Sequence, residues 1–316
     1  MDSKNNWKAW LYLAPTIILM AIFTFYPILN TLILSFQKNY DSALQMSDGF
    51  TFDNYLEILM IKPKVTTAAG VNIYIEDFVM TALPNTLILT FITVPVSIIL
   101  ALAIAIALNS VKWLKKILQT IFFMPYVTNA IAIGMVFSVI FDNNGVINFL
   151  FGLGNKAWIY AGTSGAAPTY WSGLFAICTY IVWHSLPYKI LIFLGGLQNI
   201  DAQYYDAAKI DGSSKWKIVR KITIPLLSPQ IVYVMITSFI GAFKEYTSVV
   251  GLFGNEGSFS TQGMPKSMLT VVYYIYNQMS NTTSLQYAAA SAVVLLIIIF
   301  IFTMIQNAWS KKRLYY

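Results

Sequence analysis

The chain has 316 residues, 57% of them hydrophobic and only 10% charged, with a formal net charge of +7. Soluble globular domains are about a quarter charged and under half apolar, and disorder needs low hydrophobicity, so both are excluded and an integral membrane protein remains. One cysteine (Cys178) excludes an internal disulfide and a thiolate metal cage, one histidine (His184) excludes the two-histidine metal-hydrolase helix, and no metal site is expected.

A bilayer core is crossed by about 20 mostly apolar residues in a helix. Six stretches qualify, at residues 11–36, 85–109, 117–141, 172–197, 226–253 and 287–306. The first is too long for a signal peptide and has no clear small-residue cleavage site, so it is read as a span. This gives one membrane domain over 11–309, with tails at 1–10 and 310–316. Lysine and arginine set its direction. Lys4, Lys8, Lys112, Lys115, Lys116, Lys209, Lys215, Lys217, Arg220, Lys221, Lys311, Lys312 and Arg313 collect on one side; Lys38, Lys62, Lys64, Lys156 and Lys266 on the other. The richer side is cytoplasmic, which puts both termini inside and accounts for most of the basic excess without nucleic acid.

Three outer segments are more than turns. Residues 37–83 carry Asp41, Asp48, Asp53, Glu57, Glu76 and Asp77. Residues 142–171 are rich in Gly, Asn and aromatics and include the apolar piece 146–151, suited to an interfacial helix. Residues 254–284 are polar. Each reads either as a solvated cap or as a surface for an external partner. Pro15, Pro27, Pro95, Pro125 and Pro187 lie inside spans, where they act as kinks.

The inner segment 198–225 is too long for a minimal turn. Tyr204, Ala207, Ala208 and Ile210 recur at helical spacing, Asp211-Gly212-Ser213-Ser214 makes a turn, and Trp216, Ile218, Val219, Ile222 and Ile224 form a second helical pattern. Gly212 suits a positive φ and Ser213 or Ser214 suits an N-cap. Pro225 is expected to open the next span, where its missing N–H costs nothing. Ala207 and Ala208 give a small-residue face that fits close against another surface. An interfacial helix with Lys215, Lys217, Arg220 and Lys221 on lipid phosphates is the other reading.

Tyr205-Asp206-Ala207-Ala208-x-x-Asp211-Gly212, with Ile224-Pro225-Leu226-Leu227 beyond, resembles the "EAA" cytoplasmic loop of ABC importer permeases of the maltose/lactose type, as the first of their two permeases. Residues 15–36, Phe52-Asp53-Asn54-Tyr55-Leu56, Asn85-Thr86, 103–109, Phe122-Phe123-x-Pro125 and Gly145-x-x-Asn148 are similar to that family's pattern as well. The chain departs from it at Asp206 (glutamate in the family), at Ser213 (alanine), and at Gly254-Asn255-Glu256-Gly257, where the family has glycine-glycine-proline. The resemblance implies an all-α type I importer permease with six transmembrane helices and a cytoplasmic coupling helix. Tyr205, Asp206, Ala207, Ala208, Asp211 and Gly212 would meet a separate ATPase. The implied partners are a second permease (as a heterodimer), two ATP-binding subunits, an extracellular solute-binding protein, a sugar and membrane lipid, in a bacterial cell membrane. ATP and Mg would be used by the ATPase, with no cofactor bound by this chain.

The chain has no Gly-x-x-x-x-Gly-Lys-Ser/Thr phosphate loop and no Gly-x-Ser-x-Gly, so a transport subunit that is not an enzyme is expected. An ion-coupled secondary transporter is the rival, with Glu245 as the one clear intramembrane acid, beside Lys244; an ABC permease for glycerol phosphate or another polar solute is the nearer alternative. Polar groups in spans face a cavity or a partner. His184, Ser185 and Tyr188 lie along one stripe with Ile181, and Ser238 and Glu245 along another with Gly241 and Ala242. With Trp183 these offer aromatic faces and hydroxyl partners to a sugar; Tyr126 and Asn129 are further candidates. Their positions relative to the coupling loop also match where maltose-type permeases line their site. Each has a structural alternative: His184 bonding a neighbouring span, Ser185 and Ser238 bonding their own helices, and Glu245, Lys244 and Lys189 snorkelling to water.

Overall fold

The computed structural model describes residues 6–67, 71–111, 115–159, 168–254 and 268–310. Among these, helices dominate. Helix α1 runs from Asn6 to Ser35, and its stretch Trp10–Ser35 is apolar enough to cross a membrane. So are α3 (Asp77–Ser110), α7 (Tyr170–Gln198) and α13 (Leu285–Ser310). Two bent pairs raise these four to as many as six if each pair is one span: α4 (Lys115–Val127) with α5 (Ala130–Ile140), bent by 99°, and α9 (Lys215–Leu226) with α10 (Ser228–Phe243), bent by 67°. Short helices fill the connections: α2 (Asp53–Ile58), α6 (Val146–Phe151), α8 (Ala202–Ile210), α11 (Thr247–Phe253) and α12 (Val271–Met279). The only strands among the described residues are β1 (Val65–Thr66) and β2 (Asn72–Ile73), paired antiparallel.

Three of the expected spans differ in their helices from single runs with the expected bounds. Residues 117–141 are not one helix. Asn129 adopts an extended backbone and its side chain accepts the N–H groups of Ile131 and Ala132, so it starts α5 as a new helix. Residues 226–253 are likewise divided, at Leu227 and again at 244–246. Pro225 does not open the span; it lies at the end of α9, and Pro229 is the proline in the first turn of α10. The 85–109 span is longer than expected, because its helix begins at Asp77. Wide π-type turns occur at Ala21–Phe25, Asp77–Ala82 and Val219–Thr223. Each ends two residues before a proline: Pro27, Pro84 and Pro225. A proline lacks the N–H and pushes on the carbonyl four residues back, and widening the preceding turn relieves that clash.

The chain divides into two compact units. The first, residues 1–79 and 274–297, contains residues 37–79 of the outer segment expected at 37–83, and its described residues are folded. Asn54 is buried and donates to the carbonyls of Ser35 (2.9 Å) and Gln37 (2.8 Å). Ser35 and Tyr55 share a hydroxyl hydrogen bond at 2.6 Å, and the Tyr287 hydroxyl donates to Glu57 at 2.6 Å. Lys62 pairs with Asp53 at 2.7 Å, and that hydrogen bond holds the Asp53 carboxyl below its usual range. Along α1 the apolar side chains are exposed, as expected of a helix facing lipid or another chain.

The second unit, residues 80–273 and 298–316, is built on α3 against α7. Ala101 and Ala105, one turn apart on α3, let Phe193, Leu194 and Leu197 of α7 approach closely, and Leu227 and Val234 complete the buried cluster. Helices α5 and α11 cross with the Gly134 and Gly251 backbones in contact range. Phe91, Phe239, Phe243 and Phe302 form an aromatic cluster. Asn85 and Thr86 anchor the chain ahead of α12: Asn85 donates to the Leu269 carbonyl, and Thr86 accepts the Val271 N–H.

The piece expected at 146–151 is a helix, with Phe149 85% exposed and Leu150 and Phe151 exposed beside it. Its other side is fixed by Asn148, only 3% exposed. The Asn148 amide donates to the carbonyls of Asn143 and Lys156, both at 2.8 Å, and its oxygen accepts from the Trp158 indole N–H at 2.8 Å. Replacing Asn148 with Leu leaves the indole N–H and two carbonyls without these partners, at about 1–3 kcal/mol for each group that stays buried and unsatisfied. A lowered melting temperature and faster proteolysis within 142–159 are expected; wild-type values for both would show that the asparagine does not fix this segment. The tails at 1–5 and 311–316, and 160–167 and 255–267 of the outer segments, lie outside the described residues, and with them Asn255, Glu256 and Gly257.

Candidate functional site

Helix α7 supplies Ile181, His184, Ser185, Tyr188 and Lys189 at three- and four-residue steps. At 3.6 residues per turn these fall on one side. Helix α10 and its end supply Thr237, Ser238, Gly241, Ala242 and Glu245, and α3 supplies Thr93 and Val94. Together with Tyr126 of α4 they line a cavity of about 330 Å³, all within the second unit. That volume lies in the range of small-molecule sites, which combine apolar walls with a few placed polar groups.

Tyr188 is the centre of an aromatic group. Its ring stacks on Tyr126 with centroids 5.9 Å apart and planes at 19°, and its hydroxyl meets that of Tyr233 at 3.0 Å. His184 packs by its ring against Tyr180. Glu245 accepts the Ser248 N–H at 2.9 Å through Oε1, and its own carbonyl accepts from Thr270. The polar stripe therefore continues into α11.

Six of the eight expected residues meet here: Tyr126, His184, Ser185, Tyr188, Ser238 and Glu245. Two do not. Trp183 lies round the helix from His184 and packs on Phe137 instead, with ring centroids at 5.3 Å. Asn129 is committed to capping α5. Lys189 does not take the snorkelling alternative: it is 5% exposed, and its ammonium donates to Ser97 at 2.6 Å and to Ser185 at 3.0 Å. A charge in a span costs about 2.5–3.5 kcal/mol on insertion scales, so a lysine held inside the bundle has structural or functional work there. No local pattern in the sequence marks the Ser97 contact. Thr237, which lines the cavity, and Tyr233, which meets Tyr188, lie at four-residue steps from Gly241, a periodic signal visible in the sequence.

The inner segment forms a second feature. Asp201 caps α8 by accepting the Gln203 N–H, Gly212 sits at φ +67°, the Ser213 N–H returns to the Ala208 carbonyl, and Ser214 caps α9. Of the two candidate serines, Ser214 is the cap. Ala208 is buried within the chain and Ala207 is exposed, and both line one hollow with Tyr204 and Ile222. Tyr205 also turns inward, with its hydroxyl 3.4 Å from that of Thr223. Asp206 pairs with Lys209 at 2.8 Å on the exposed side, where Asp211 and Gly212 also lie. Ile210 is 87% and Tyr204 55% exposed.

Both features lie within residues 94–315, apart from Thr93, and those residues match the family described as "Binding-protein-dependent transport system inner membrane component". The chain belongs to that family. It is 32% identical to the lactose transport system permease LacF of Rhizobium radiobacter over 85% of this chain and 82% of that one. It is 31% identical to the arabinooligosaccharide permease AraP of Bacillus subtilis, over 85% and 77%. Its fold is similar to that of a crystallised bacterial ABC transporter that imports the acidic polysaccharide alginate, at a TM-score of 0.75 and 18% identity over 98% of this chain and 96% of that one. The permease is thus a multi-pass inner membrane component with a type I importer fold. The first unit's segment 37–79 falls before the matched residues, and the cavity and the elbow fall almost wholly within them.

Proposed function

We propose that this chain is the permease subunit of an ATP-driven importer, which receives a saccharide from an extracellular solute-binding protein and passes it inward by alternating access. The observation that carries the reading is the exposed elbow of α8 and Gly212. Beside its tightly capped turn the elbow carries a hollow lined by Tyr204, Ala207, Ala208, Asp211 and Ile222, and a concave face mixing apolar and polar groups suits a docked partner. Asp206, Ala207, Asp211 and Gly212 face outward toward a separate ATPase, while Tyr205 and Ala208 fasten the elbow to its own chain. The lysine and arginine distribution supports a cytoplasmic position for this elbow and both termini. Two ATP-binding subunits and a second permease complete the complex. ATP and Mg act in those ATPases, because this chain has no phosphate loop of its own.

The saccharide assignment rests on the lactose and arabinooligosaccharide permeases among its relatives and on the Tyr126, Tyr188 and Tyr233 group, which offers flat aromatic faces and hydroxyls together. Closure of the ATPases would push the elbows and open the cavity outward; hydrolysis would reset it. Purification of the complex from membranes tests the reading. ATPase chains should copurify with this one. Tyr188→Ala combined with Glu245→Ala should lower uptake roughly tenfold or more, the loss of about 1.4 kcal/mol or more of solute binding, while basal ATP hydrolysis and assembly persist. Solute uptake without nucleotide, by a chain that copurifies with no ATPase, would overturn the proposal.

A further inference from the structure

The cavity contains two charged groups in different circumstances. Glu245 is satisfied in part by the chain itself, through the Ser248 N–H. Lys189 is buried and its hydrogen-bond partners are the hydroxyls of Ser97 and Ser185. Each of those hydroxyls donates its own hydrogen to a helix carbonyl, Ser97 to Val94 and Ser185 to Val182, so each offers the ammonium only a neutral lone pair. Among the described residues no carboxylate pairs with Lys189. An ammonium has three hydrogens to donate, and two are used. Charges inside a bundle are normally matched by an opposite charge or face a polar cavity, and this one lines the cavity that also holds Tyr188 and Ser238.

We propose that Lys189 is the counter-charge for an anionic group, carboxylate or phosphate, on a polyhydroxylated solute bound in this cavity. The inference rests on the importer reading for the cavity's role and narrows it to acidic solutes. The tyrosine group would take the sugar or polyol face, and the Lys189 ammonium the anionic oxygen. A purely structural lysine, tying α7 to α3 through Ser97, is the competing role.

The test uses the intact complex copurified from membranes and measures thermal stability with D-glucuronate, glycerol 3-phosphate or D-glucose at matched ionic strength. The wild type is expected to be stabilised by at least one of the two anions well beyond the glucose effect, and the stronger of the two tells carboxylate from phosphate. Lys189→Met should erase the anion-specific part, and Lys189→Arg should retain it. Uptake of the preferred anion should fall roughly tenfold or more in Lys189→Met, the equivalent of about 1.4 kcal/mol. Equal responses to glucose and both anions in the wild type overturn the inference without any variant, as does an anion response that survives Lys189→Met. Failure of the ATPase chains to copurify would instead count against the importer reading itself.

Discussion

Gly134→Leu is expected to abolish accumulation of folded protein, with yield after solubilisation down by more than tenfold. A Cβ at Gly134 would lie 2.6 Å from both the Cα and the carbonyl carbon of Gly251, a backbone-to-side-chain approach that no rotamer change relieves. Helices α5 and α11 would have to separate. Overpacking in a well-packed interior costs about 1–3 kcal/mol when side chains absorb the strain, and here none is available to do so. In a membrane, helices gain little from the hydrophobic effect and depend on close packing of small residues, so the lost contact has no ready replacement. The reciprocal substitution is milder: a Cβ at Gly251 meets Gly134 Cα at 3.1 Å and Ile131 at 3.2 Å. Gly134→Ala should therefore lower the melting temperature more than Gly251→Ala. The crossing also carries one end of the cavity, because the Tyr180 hydroxyl donates to the Ala130 carbonyl at the start of α5, and Ser248 of α11 holds Glu245. Solute affinity should weaken in Gly251→Ala even where protein survives. Normal yield and melting of Gly134→Leu, measured by size exclusion and thermal denaturation in detergent, would show that the helices do not meet as described.

Sequence reading recovers those parts of this structure that depend on neighbours a few residues apart. The apolar runs of α1, α7 and α13 are visible because lipid demands length and composition. The α8–turn–α9 elbow is visible because a positive-φ glycine and a capping serine act within one turn. The α7 stripe is visible because His184, Ser185 and Tyr188 obey the helical period. The features that escape depend on distant partners or on a local choice that hydropathy does not register. Apolar content runs continuously through 117–141, yet Asn129 begins a new helix there by satisfying two N–H groups with its own side chain. Lys189 looks free to snorkel until Ser97, 92 residues away, takes its ammonium. Ala207 and Ala208 look equivalent, and only the chain packed beneath them separates the buried one from the exposed one. Glu57 and Tyr287 meet across 230 residues. The widened turns before Pro27, Pro84 and Pro225 are an intermediate case: the cause lies in the sequence, four residues from its effect, but apolar-length counting does not look for it.

Gly212→Leu is expected to separate ATP hydrolysis from transport while leaving the fold intact. Gly212 has φ +67° and no atom within 4 Å of where a Cβ would stand, so the new side chain clashes with nothing in this chain. The left-handed backbone costs an L-residue about 1–2 kcal/mol, a loss the membrane unit can bear. The elbow is fixed at every joint: Asp201 caps its start, Tyr205 reaches Thr223, Ser213 closes the turn on Ala208, and Ser214 caps α9. A push on its tip therefore moves α7 and α9 together rather than bending the loop. The open space at Gly212 lies beside Asp211 and Ile210 on the exposed side, where a leucine would hold an ATPase surface away. Uptake per ATP hydrolysed should fall by more than tenfold, with expression and melting near wild type. Gly212→Asn, which tolerates a left-handed backbone and adds less bulk, should fall between the two. Loss of stability in parallel with transport would make the glycine a matter of folding alone, and full transport by Gly212→Leu at normal expression would remove the elbow from the coupling path.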